Sequence, residues 1–90
     1  MSDAPWDVLE PHRMRLTKGL VNVDEARFDA ALKQGFEIVE TYSHTSEAGH
    51  SQSVTRYERD GVSLVEVETY IEREGGMHMR ATLGPEGWGE

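Results

Sequence analysis

Histidine and carboxylate are the side chains here most able to do chemistry, and their spacing decides which chemistry is open to them. His44 and His50 flank Glu47 within residues 43–52 (SHTSEAGHSQ), and a divalent metal takes such nitrogen and oxygen donors. The H-x5-H spacing in a glycine-containing loop is not a rigid ligand pattern, unlike an i, i+4 pair on a helix. The two histidines therefore read as exposed loop residues, and no metal ligand is assigned.

Glu66 and Glu68 are the second candidate. Two residues apart on one strand, they sit about 6.5–7 Å from each other, a separation at which hydrolytic carboxylate pairs work. An open sheet face offers nothing to exclude water or to raise one of the two pKa values. The pair therefore reads as a solvated face that meets Arg56 and Arg80. His78 is expected to pair with Glu72.

Nucleophilic chemistry finds no support. There is no cysteine, no G-x-S-x-G turn, and no serine and histidine with an orienting acid. Gly84, Gly87 and Gly89 follow the last strand with no helix behind them to hold a phosphate. The cationic run His12, Arg13, Met14, Arg15, with Lys18, is short and reads as neutralising an acidic sheet. No catalytic residue and no cofactor is assigned. An enzyme reading survives only as a composite site between two copies, so the chain leans away from being an enzyme.

The elements that position these residues follow from the hydrophobic pattern. Residues 1–11, with Pro5 and Pro11, read as an N-terminal arm, and Met14 to Thr17 alternate weakly as a short first strand. A helix follows, capped by Asp24 with Val23 and Phe28 as a hydrophobic staple, or by Asn22 with Glu25; Gly35 closes it after Gln34. Phe28, Ala31 and Leu32 share its apolar face. Residues 36–42 (FEIVETY) form a strand. Residues 43–52 then make a long loop or an extended hairpin tip.

Residues 54–58, 62–72 and 77–83 complete an antiparallel meander. Arg59-Asp60-Gly61 and Glu74-Gly75-Gly76 read as three-residue loops. That choice sets Thr55 opposite Val65, Tyr57 opposite Ser63, Ile71 opposite Met79 and Val67 opposite Leu83. Odd positions then line the core beneath the helix. Even positions lie on a partly open face, where Leu64, Val54 and Tyr70 add apolar patches, Tyr70 faces Arg80 and Glu72 faces His78. A one-residue slip would exchange the faces. Residues 84–90 read as a flexible glycine-rich tail unless Trp88 docks, and both Trp88 and Trp6 read as covers for the domain's own core edge.

Residues 12–83 thus make one α+β domain, a helix on a four- to five-stranded antiparallel meander. The layout resembles cystatin-like helix-on-sheet architectures, a likeness of arrangement that carries no function. Ninety residues leave no room for a second core and make a chain of marginal stability alone, which favours a dimer or a permanent partner.

Charge narrows the partners. Seventeen acids against nine Lys and Arg, net −8, argue against nucleic acid. The excess concentrates in residues 36–74, with nine acids and three bases. The first residues lack a basic n-region or an apolar h-region, and no apolar run approaches the roughly 20 residues that span a bilayer. With no cysteine, a cytoplasmic address and no membrane partner are expected. The function expected is a small acidic protein-interaction or regulatory module. It would bind another protein, or its own copy, through the open face or the sheet edge, using Arg56, Leu64, Glu66, Glu68, Tyr70, Glu72, His78 and Arg80. The alternative is a small-molecule or metal-binding domain working through the helix–sheet gap or the His44/His50 loop.

Overall fold

A computed structural model describes residues 4–88. Helices α1 (Pro5–Val8) and α2 (Glu10–Thr17) precede β1 (Leu20–Asn22), α3 (Glu25–Leu32), and then β2 (Glu37–Thr45), β3 (Ser51–Arg59), β4 (Val62–Ile71) and β5 (Met77–Pro85). The strands form one antiparallel sheet in the order β1-β5-β4-β3-β2, so the fold is α+β as expected. Among the described residues no helix is long and apolar enough to cross a membrane.

The N-terminal segment departs from expectation. The arm and short strand read there are instead the two helices α1 and α2. Both prolines sit in first turns, where a missing N–H leaves no intrahelical bond unmade and φ is already helical. Leu9 and Leu16 turn inward and join Val54, Val65 and Val67 in the main core, with Leu20, Tyr42, Ala81 and Leu83 packed around them. Arg13 binds the segment together: one Nη1 donates to the Trp6 carbonyl at 2.8 Å and to Gln52 Oε1 on β3 at 2.9 Å.

The expected register is corrected at both turns. Arg59 pairs with Val62, leaving Asp60 and Gly61 as a two-residue turn with φ of 50° and 80°. That double left-handed backbone matches the twist of the strands it joins, which is why it displaces the three-residue alternative. The one-residue change exchanges the faces of β3. Val54 now lies opposite Val67, Arg56 opposite Val65 and Tyr57 opposite Leu64. At the β4–β5 turn Ile71 pairs with Met77, a shift of two that keeps odd residues facing odd ones. Tyr70 therefore faces His78, and Glu68 faces Arg80.

The sheet has two covered faces. The first carries Val54, Val65, Val67, Ala81 and Leu83, and lies beneath α1 and α2. The second carries Leu64, Glu66, Thr82 and Tyr57. Helix α3 packs on this second face, with the even positions of β4 and β5, and not on the odd face as expected. Phe28, fully buried, meets the Tyr57 ring edge-on with centroids 6.0 Å apart. The expected Asp24 cap is present, accepting the Arg27 N–H at 3.0 Å, and Gly35 follows the helix at φ 91°. Gly84 lets β5 pass close under Leu64, since a Cβ there would lie 2.9 Å from Leu64 Cδ2 and 3.5 Å from Trp88 Cε3. Trp88 thus docks on the sheet, as one of its two expected readings has it.

Candidate interaction surface

The eight residues expected to meet a partner do not form one surface. Leu64 is fully buried and belongs to the core, as does Val54, so neither gives an open face an apolar patch. Arg56 points to the first face, where its Nε donates to Glu40 and its Nη1 to Glu58. Glu66 is buried beneath Arg80. Arg80 spreads over Glu66, Glu25 and Asp29, with its guanidinium carbon 5.5 Å from the centre of the Phe28 ring. These carboxylates, Asp29 first, raise its already high pKa further, and Arg80 in turn lowers that of Asp29.

Glu68, Tyr70 and His78 stay accessible at the end of the second face that α3 does not reach. His78 Nε2 lies 3.0 Å from Glu68 Oε2, so its carboxylate is Glu68 and not the expected Glu72. The register explains the change, because Glu72 lies beyond the last strand pair. Glu72 instead binds the Tyr70 hydroxyl and raises its pKa. With Ser43, Thr45, Ser51 and Ser53 these residues line a shallow, hydroxyl-rich groove of about 260 Å³.

The histidine loop is a hairpin tip, the second of its two expected readings, between β2 and β3. His50 Nδ1 accepts the Glu72 N–H at 2.9 Å and the ring lies 5.7 Å from that of Trp6, while His44 faces Gln52 on the first face. Among the described residues no group of three or more His, Asp or Glu side chains could hold a metal ion. The cationic run is absorbed by the sheet: His12 stacks on Tyr42 at 3.9 Å, and Arg15 binds Glu40 at 3.0 Å.

A different surface emerges along β5. Its inner neighbour, β4, pairs with Met77 to Leu83, but its outer neighbour, β1, reaches only Leu83 to Pro85. The last bond on that side runs from the Val23 N–H to the Thr82 carbonyl, 2.9 Å. Backbone groups alternate sides along a strand. Since Thr82 points outward, Arg80 and His78 point outward too, and among the described residues their N–H and C=O groups have no strand to pair with.

The first face beside this edge is apolar and incompletely covered. Helices α1 and α2 pack chiefly over β2, β3 and β4, and they leave Met79 on β5 nearly half exposed. Two hollows result. One, about 310 Å³, lies among Trp6, Ile71 and Met79; the other, about 240 Å³, lies among Met14, Val67, Ala81 and Leu83. Met79 is 44% exposed and Met14 63%. Side chains of this size at an unpaired edge are what a monomer usually hides.

Sequence reasoning placed Ile71, Met79, Ala81 and Leu83 on the core face of the sheet. It does not show that this face runs out from under its helices at Met79. One signal was present: residues 77–83 (MHMRATL) contain no carboxylate in a chain of net charge −8. Met14 and Trp6 carry no such signal, because weak alternation and two prolines give their segment the pattern of a strand and an arm. No protein-family model matches the chain, and neither the curated proteins nor the solved structures provide a match.

Proposed function

We propose that this chain is a protein-interaction module that docks an extended segment of another polypeptide along the outer edge of β5. The observation that carries the reading is the coincidence of outward backbone groups at His78 and Arg80 with the exposed Met79 and Met14. A docked strand takes its affinity from main-chain hydrogen bonds and its selectivity from alternate side chains. Here every second side chain would enter the hollows beside Met79 and Ala81. Methionines suit that task because flexible thioethers adapt to irregular shapes.

The partner is a protein and not a nucleic acid. Arg15, Arg56 and Arg80 are each held by carboxylates of the chain itself, which leaves them little to offer a phosphate backbone. Of the surface expected from sequence, His78 and Arg80 lie on the docking strand, and Glu68 and Tyr70 flank it on the second face. The cysteine-free composition suits a reducing cytoplasm, and in this reading the module is a regulatory or assembly component.

Site-specific photo-crosslinking in cells tests the reading. A photoreactive residue at Met79 is expected to give adducts of discrete mass, and one at Ile38, exposed on the opposite edge strand, is expected to give none. Absence of adducts from Met79, or equal labelling from both positions, would sink it.

A further inference from the structure

We infer that the strand docking on β5 is β5 of a second copy, running antiparallel about a two-fold axis at Met79; the inference rests on the reading of β5 as the docking edge. The open stretch is Met77 to Ala81, bounded by the Val23 contact at Thr82 on one side and the turn before Met77 on the other. Met79 is its midpoint. An axis there sets His78 of one copy opposite Arg80 of the other. Each outward N–H then meets an outward carbonyl, the pattern of a hydrogen-bonded antiparallel pair.

Other registers do worse. An axis at Arg80 brings His78 against Thr82, whose carbonyl already serves Val23. An axis at His78 runs Arg80 against Gly76, which lies in the turn at φ 64°. The Met79 register uses the free groups and no others.

Side chains agree with the backbone. On the first face Met79 meets Met79 of the second copy, and Met77 meets Ala81, all apolar and continuous with Met14. Charge also selects this seam. Two copies of a chain at net −8 repel, and residues 77–83 bring no carboxylate to the junction. His78 and Arg80 each keep a carboxylate partner within their own copy. The other edge is less suited, because β2 is broken by a bulge between Ile38 and Glu40 and carries Glu37 and Glu40.

Because the axis passes through Met79, like charges placed there repel and unlike charges attract. Sedimentation equilibrium of the wild type, Met79→Glu, Met79→Lys and an equal mixture of the two variants tests this, with Ile38→Glu as control and thermal melts to verify folding. The wild-type mass is expected to approach twice the monomer as concentration rises, and Ile38→Glu to behave likewise. Each Met79 variant alone should remain monomeric, and the mixture should regain the dimer. A wild type that stays monomeric throughout, or a dimer indifferent to charge at Met79, would overturn the inference. Adducts from Met79 that contain only other proteins would also overturn it while leaving the docking edge intact; no adducts at all would remove both.

Discussion

Arg80 on β5 donates from Nη2 to Oδ1 of Asp29 on α3 at 2.8 Å, and this contact fastens the helix to the strand whose outer edge is open from Met77 to Ala81. The same guanidinium reaches Glu25 at 2.7 Å and Glu66 on β4. One side chain therefore holds three carboxylates from two elements, beside the Phe28 ring that α3 rests on the sheet.

Removing the guanidinium leaves the buried Glu66 with only a long contact from the Tyr57 hydroxyl, 3.5 Å, and no countercharge. Arg80→Ala should destabilise the fold by about 2–3 kcal/mol, on the scale for breaking partly buried ion pairs. Arg80→Lys should recover only part of the loss, because an ammonium cannot reproduce the planar fork. Urea unfolding of the three proteins checks this, and an Arg80→Ala midpoint equal to wild type would contradict it.

Acid stability follows from Glu40. Its carboxylate accepts from Arg15, from the Tyr42 hydroxyl and from Arg56, each at 3.0 Å, and these contacts, Arg15 first, hold its pKa at about 2, below the ordinary 4.5. A carboxylate whose folded pKa is depressed stabilises the fold above its unfolded pKa and loses that contribution as pH falls toward the folded value. Glu40→Gln should therefore melt below wild type at neutral pH. The gap should narrow between about pH 4.5 and pH 2 and vanish below that. A gap constant with pH would refute the assignment.

The N-terminal segment is part of the core, and Leu9, 4% exposed, is the residue that tests it. Leu9→Ala should cost about 2–4 kcal/mol, the range for deleting buried leucine methyl groups. A frayed arm would show no change in the denaturation midpoint.

What could be read from sequence divides along physical lines. Helix α3 and the four long strands announced themselves through Asp24, Gly35 and alternating apolar runs. Helices α1 and α2 did not, because only Leu16 is buried in the eight residues of α2, and Pro5 and Pro11 read as breakers when they were helix starters. The faces turned on Asp60. A non-glycine residue at φ 50° is uncommon, and its left-handed backbone moved the β3 register by one. That single step carried Arg56 to the first face and Val54 to the core.

The docking edge was invisible for a different reason. A strand's neighbours are set by topology, and nothing in residues 77–81 says that β1 would stop at Leu83. Apolar alternation marks a face without saying how far its cover extends. Met79 therefore read as core and proves to be the rim.

Amide hydrogen exchange along β5, followed as a function of protein concentration, tests the central claim most directly. Met77, Met79 and Ala81 point toward β4 and should be protected at every concentration. The His78 and Arg80 amides should exchange fast in dilute protein and become protected as concentration rises. Exchange at His78 and Arg80 that is slow from the outset, or that stays fast at every concentration, would contradict the account.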